Sequence, residues 1–176
     1  MSEDSQAIRR TLSNAAAERN RLHDLGARRP EAAPELIAAY AASGEFLDRL
    51  TSDDALARLR ARDPVALEHA ACFLEVYPHC PDSGFAVRDL VKTFKHAYIP
   101  ENFTGRLRAA LLAIAAQPPR DELKHLRQLA LKVADEAFVA DLDKLGESRD
   151  LVAAANARLF ADYITKHWEN PPWETK

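Results

Sequence analysis

The stretch Asp63-Pro64-Val65-Ala66-Leu67-Glu68-His69-Ala70-Ala71-Cys72-Phe73-Leu74-Glu75-Val76-Tyr77 decides the fold class. Asp63 offers a carboxylate to the free amides of a first helical turn, and Pro64 at the first helical position gives up no hydrogen bond. The helix predicted over 64–77 is apolar nearly all round, with its two carboxylates, Glu68 and Glu75, on one narrow strip. A helix of that kind is surrounded by neighbours, so it belongs in the middle of the fold.

Working outward, 78–84 reads as a loop rich in Pro and Gly. Residues 85–98 form an amphipathic pattern, with Val87, Leu90, Val91, Phe94 and Tyr98 inward and Arg88, Lys92 and Lys95 outward. Ile99-Pro100 ends it, and the next helix, 101–116, is built on Leu107, Leu111, Leu112 and Ile114. Gln117-Pro118-Pro119 interrupts the chain. Asp121 and Glu122 then open a long helix that runs to Leu145 and stops at Gly146, negative charge being favourable at a helix amino end. The last helix, 148–167, is expected to carry Leu151, Val152, Ala155, Leu159, Phe160 and Ile164 towards the core.

On the amino-terminal side, 5–25 reads as a helix with Ile8, Leu12, Ala15, Ala16 and Leu22 on one face, and Gly26 as its stop. Arg19 interrupts that face and leaves a thin apolar stripe. Residues 27–34 hold two prolines and read as a linker. A short helix over 34–43 ends at Gly44, another turn or two follows over 45–50, and Thr51-Ser52-Asp53-Asp54 supplies capping oxygens for a helix reaching Arg62. The chain divides into an N-terminal helix and linker (1–33), a main helical domain (34–167) and an aromatic, Pro-containing tail (168–176).

The fold class is all-α. Helix starts near 64 and 101, and near 84 and 119, recur at intervals close to those of helical-pair repeats. The next interval, from 101 to 147, is longer, and the units share no residue-level similarity. An α-solenoid-like stack of helical pairs and an orthogonal multi-helix bundle both remain open.

Composition narrows the classes further. The 176 residues are 47% apolar and 29% charged, with 5 Gly, 10 Pro and 2 Cys. That length supports one compact core. Two cysteines cannot make the disulfide framework of a small secreted domain. No run of residues is long and apolar enough to span a bilayer, and the opening Met1-Ser2-Glu3-Asp4-Ser5 is acidic where a signal peptide is basic. A soluble, cytoplasmic protein without membrane association is expected.

The formal net charge of −3 hides segregation: residues 86–132 carry 9 Lys/Arg against 4 Asp/Glu, and residues 31–85 carry 4 against 10. Arg88, Lys92 and Lys95 line one helix; Arg120, Lys124 and Arg127 line the helix two along. If alternate helices share a layer, the two rows make one cationic patch, suited to an acidic protein segment or to nucleic acid. Charges on an outer helix face also simply keep a helix soluble, and Asp89, Asp121 and Glu122 are near enough to neutralise some of them. The net acidity favours the protein partner.

His69, Cys72, His79 and Cys80 are the only clustered metal-competent side chains, and they lack paired CxxC spacing. Asp141, Asp143 and Gly146 imitate the start of a calcium loop, which fails at Leu145 and Val152. There is no Gly-x-Ser-x-Gly elbow and no Gly-rich phosphate loop. Trp168 and Trp173 flank Pro171-Pro172 and could cap the core or dock onto a partner. The expected function is therefore a non-enzymatic helical interaction module. It binds an anionic partner through Arg88, Lys92, Lys95, Arg120, Lys124 and Arg127, with no cofactor and no metal. The alternatives are a nucleic-acid binder through the same patch and a metal-dependent enzyme around His69 and Cys72.

Overall fold

The structure, a computed structural model, describes residues 3–28, 45–77, 80, 82–169 and 171. The helix expected over 34–43 with its stop at Gly44, His79, and Trp173 of the tail lie outside the described residues. Among those described the chain is all-helical. In chain order the helices are α1 (Glu3–Arg28), α2 (Glu45–Thr51), α3 (Asp53–Arg60), α4 (Pro64–Val76), α5 (Ser83–His96), α6 (Glu101–Ala115), α7 (Leu123–Val133), α8 (Glu136–Gly146) and α9 (Leu151–His167).

Local chemistry sets most of the starts. Ser52 Oγ accepts from Ala55 N at the head of α3; Asp63 accepts from Val65 and Ala66 N at the head of α4, and Asp150 from Val152 and Ala153 N at the head of α9. Each satisfies amides that a first turn otherwise leaves without partners. At its far end α4 stops because Tyr77 turns left-handed, with φ 43°.

Alternate helices are neighbours. α3, α5, α7 and α9 pack successively in one row, α4 packs on α6 in another, and α1 flanks α4. The central α4 buries Leu67, Ala70, Ala71, Cys72, Phe73 and Leu74 in a core that runs continuously from Leu12 on α1 to Ile164 on α9.

Several sequence expectations need correction. α1 runs through Gly26 to Arg28. A glycine stops a helix by turning left-handed, and no described glycine has positive φ; inside a helix it costs only about 1 kcal/mol against Ala. The long helix over 121–145 is two, because Ala134 and Asp135 are extended. Asp135 caps Phe138 N at 2.7 Å and pairs with Arg108 of α6, whose Nε also bonds Val133 O. The corner is thus pinned from another helix. Gly146 ends α8 for a different reason from a left-handed turn: Arg158 of α9 lies over it, 3.4 Å from where a Cβ would be, and donates to its carbonyl at 2.7 Å. Tyr98 is 59% exposed, with Arg62 over its ring. On α9 the inward face is Ala153, Ala154, Asn156, Ala157, Phe160, Ala161 and Ile164, while Leu151 (82% exposed), Val152 and Leu159 face solvent.

Asp135→Ala removes both the cap and the Arg108 partner. It is expected to cost about 1 kcal/mol and to lower the melting temperature by about 2–4 °C, measured by circular dichroism.

Candidate functional site

Arg88, Lys92 and Lys95 sit on α5, and Lys124 and Arg127 sit on α7 with Arg120 in the segment before it; α5 and α7 pack directly on each other. Their amino-terminal ends open on a shared hollow of about 380 Å³, lined by Arg88 and Phe85 from α5 and by Lys124 and His125 from α7. Phe85 is 59% exposed, and the Arg88 guanidinium lies 5.0 Å over its ring. Burial, then the positive charges of Lys124, Arg88, Lys92 and Lys95, hold the His125 imidazole below its ordinary value. Of the six expected cations, Arg88 and Lys124 line the hollow, and Lys92 and Lys95 lie farther along α5.

The other two turn away from it. Arg120 is 12% exposed, ion-paired with Glu122, bonded to Ser83 Oγ at 2.9 Å and stacked 4.2 Å over Tyr77. Arg127 lies 4.7 Å over the Tyr163 ring of α9. Both place a planar cation on an aromatic face, where a guanidinium loses little by leaving water.

The hollow is not purely basic. Asp82, Asp121 and Glu122 also line it. Asp82 is paired with Arg19 of α1, Glu122 with Arg120, and Asp89 of α5 bonds Arg88 at 3.1 Å with Lys92 at 3.7 Å. Asp121 remains as an exposed carboxylate on the rim.

The metal-competent residues do not converge. Among the described residues no group of three His, Cys, Asp or Glu side chains is arranged to hold a metal ion. Cys72 and Cys80 are free thiols. Cys72 lies 3.3 Å from Glu68 and 3.6 Å from Arg106; burial, reinforced by the Glu68 carboxylate, pushes its thiol up to about 11. A thiol held protonated in that way is neither a ready nucleophile nor a ready ligand. Burial raises the Cys80 thiol as well. Asp141 and Asp143 lie within helix α8, where a calcium loop cannot form, and Asp141 bonds Lys144. Trp168 is 46% exposed and borders a hollow beside Val139 and Ile164.

A polar cluster that the sequence left unassembled joins α1, α4 and α6. Arg106 Nη1 donates to Glu68 at 2.6 Å and its Nε to Glu75 at 2.8 Å; Arg9 Nε donates to Glu75 at 2.8 Å, and Ser5 Oγ to Glu68. Burial alone would raise the Glu68 carboxyl, but hydrogen bonds from Arg106, Ser5 and Cys72 outweigh it and hold it at about 2. Glu75 is lowered in the same way by Arg106 and Arg9. Every charge here has an internal partner, so the cluster works as a fastener of α1 and α6 to α4. The narrow strip of Glu68 and Glu75 was its signal, but nothing local marked Arg106 as the partner.

Compared with known proteins, the chain matches no family, no curated protein and no solved structure. Among the described residues no helix is long and apolar enough to cross a membrane.

Proposed function

We propose that this chain is a non-enzymatic helical interaction module that captures an acidic protein segment at the hollow between α5 and α7. The observation that carries this reading is the meeting of Arg88, Lys124 and His125 around one open hollow beside the exposed Phe85. Lys92 and Lys95 extend the positive field along α5. An exposed ring beside cations suits a peptide in which acidic residues accompany an apolar one, since aromatic anchors dominate interface energetics. The carboxylates of Asp82, Asp89 and Asp121 in and around the rim weigh against a uniformly charged phosphate backbone, so nucleic acid is the weaker reading.

The test is fluorescence anisotropy with a labelled Glu-rich peptide containing one Leu or Phe. Affinity is expected to fall as salt rises, and an oligonucleotide of equal charge to compete less well than unlabelled peptide. The double reversal Arg88→Glu with Lys124→Glu is expected to weaken binding at least tenfold. Lys144→Glu on α8, away from the hollow, should leave it unchanged. Equal loss in both variants, or no saturable binding, would remove the reading.

A further inference from the structure

The hollow between α5 and α7 holds a side chain whose charge is not fixed near neutral pH. His125, in the first turn of α7, is half-buried on the wall that also carries Arg88 and Lys124. No side-chain hydrogen bond or ion pair joins it to any described residue, so both ring nitrogens are unspent. Its surroundings oppose a positive charge on the ring. Burial acts first, then Lys124 on its own helix and Arg88, Lys92 and Lys95 on α5. The positive end of the α7 peptide dipoles adds to them, with no side chain capping the free amides there.

The carboxylates nearby do not restore the balance. Asp82, Asp121 and Glu122 share the wall, but Asp82 is paired with Arg19 and Glu122 with Arg120. Asp89 on α5 is held by Arg88 and Lys92, and Asp121 is exposed on the rim. α6 and α9, which also pack on α7, contribute no described residue to the wall. The imidazole of the free chain is therefore neutral at pH 7, one nitrogen donating and the other accepting. A carboxylate arriving in the hollow changes this. It offsets the cations and gives an added N–H an acceptor, and a histidine so paired holds its proton more tightly. By linkage, such a ligand binds more tightly as pH falls through the interval between the free and bound midpoints of the ring. Above that interval the ring is neutral in both states and the gain is absent; below it the ring is charged in both and the gain is complete.

We propose that His125 receives a carboxylate of the docked acidic segment and takes up one proton from solvent as it does so, which makes capture tighter in mild acid. The proposal rests on the reading of this hollow given above and adds to it the group that meets the partner's carboxylate and the condition that strengthens the contact. Arg88 and Lys124 attract an acidic segment at every physiological pH, whereas His125 contributes a charge only once the segment is in place.

The experiment repeats the anisotropy titration of the full chain with the labelled Glu-rich peptide at about pH 8 and about pH 5.5, at constant ionic strength; the peptide carboxylates stay ionised at both. Wild type is expected to bind about fivefold or more tightly at the lower pH. His125→Gln, which keeps a donor and an acceptor but does not titrate, should reduce that ratio to less than about twofold. NMR of the wild-type ring signals adds a direct readout: saturating peptide should move the His125 titration midpoint upward. Circular dichroism checks that His125→Gln is folded; if it is not, the NMR titration decides. Saturable binding with equal affinity at both pH values, a pH ratio unchanged in His125→Gln, or a His125 midpoint that peptide does not move would overturn the proton uptake and leave the peptide-binding reading standing. No saturable binding at either pH would remove both.

Discussion

Arg106→Met lowers the stability of the folded chain by about 3 kcal/mol at neutral pH, the expected cost of breaking a largely buried ion pair from one side. The substitution keeps most of the volume and leaves Glu68 and Glu75, on the same side of α4, without their shared cation. Their side chains are only about a fifth exposed, at 20% and 18%, so water compensates them poorly. Arg9 still reaches Glu75 and Ser5 still reaches Glu68, which keeps the loss at the low end of the range for a buried pair. The pH dependence fixes the mechanism. Glu68 lies near 2 in the folded chain against an ordinary 4.5, so its contribution is complete above about 4.5 and is lost as pH falls towards 2. In the variant the two carboxylates prefer to be protonated, so acid relieves the repulsion. The gap between wild type and Arg106→Met should therefore narrow from neutral pH down through that window, measured by urea midpoints. A gap that stays constant with pH would mean that lost packing, not the ion cluster, sets the cost.

The same residue shows where reading the sequence stops. Caps are local, so the starts at Ser52 and Asp63 could be read within three residues of themselves, whereas the last helix, expected from 148, starts at Leu151 on its Asp150 cap. The strip of Glu68 and Glu75 could be read too, because helical spacing alone brings them together. Arg106 is more than thirty residues away, and only the packing of α6 on α4 makes it their partner. The break at Ala134 and Asp135 was hidden for the same reason: both residues tolerate a helix, and Arg108 of another helix holds them out of one. On α9, weighting by side-chain size pointed at Leu151, Val152 and Leu159. The packed face instead uses Ala153, Ala154, Ala157 and Ala161, small residues that let helix backbones approach. Of the six cations expected on an outer face, four could be read and two could not. Arg88, Lys92, Lys95 and Lys124 follow the helical period outward, whereas Arg120 and Arg127 find rings and, for Arg120, acceptors that no periodicity announces.

Asn156→Asp is the second large effect, about 3 kcal/mol of lost stability at neutral pH, with Asn156→Leu costing about 2. α6 ends at Ala115, and its last carbonyls need donors that a following chain usually supplies from backbone amides. Here Pro118 and Pro119 follow, and neither has an N–H. Asn156, 6% exposed on the inner face of α9, fills the gap: its side-chain amide donates to Ala115 O at 3.1 Å and to Gln117 O at 2.9 Å. Leucine removes both donors and leaves two carbonyls facing an apolar side chain. Aspartate is worse, because it turns a carboxylate towards two carbonyl oxygens and repels them. The sign of the pH effect separates the two variants. In the folded Asn156→Asp chain the carboxyl is raised above its unfolded value, since only the protonated form can donate; the variant therefore recovers stability as pH falls and loses it as pH rises through the raised value. Asn156→Leu has nothing to titrate at this site and should run parallel to wild type across the same range. If thermal melts of the two variants track each other with pH, the Asn156 amide is not what closes the end of α6.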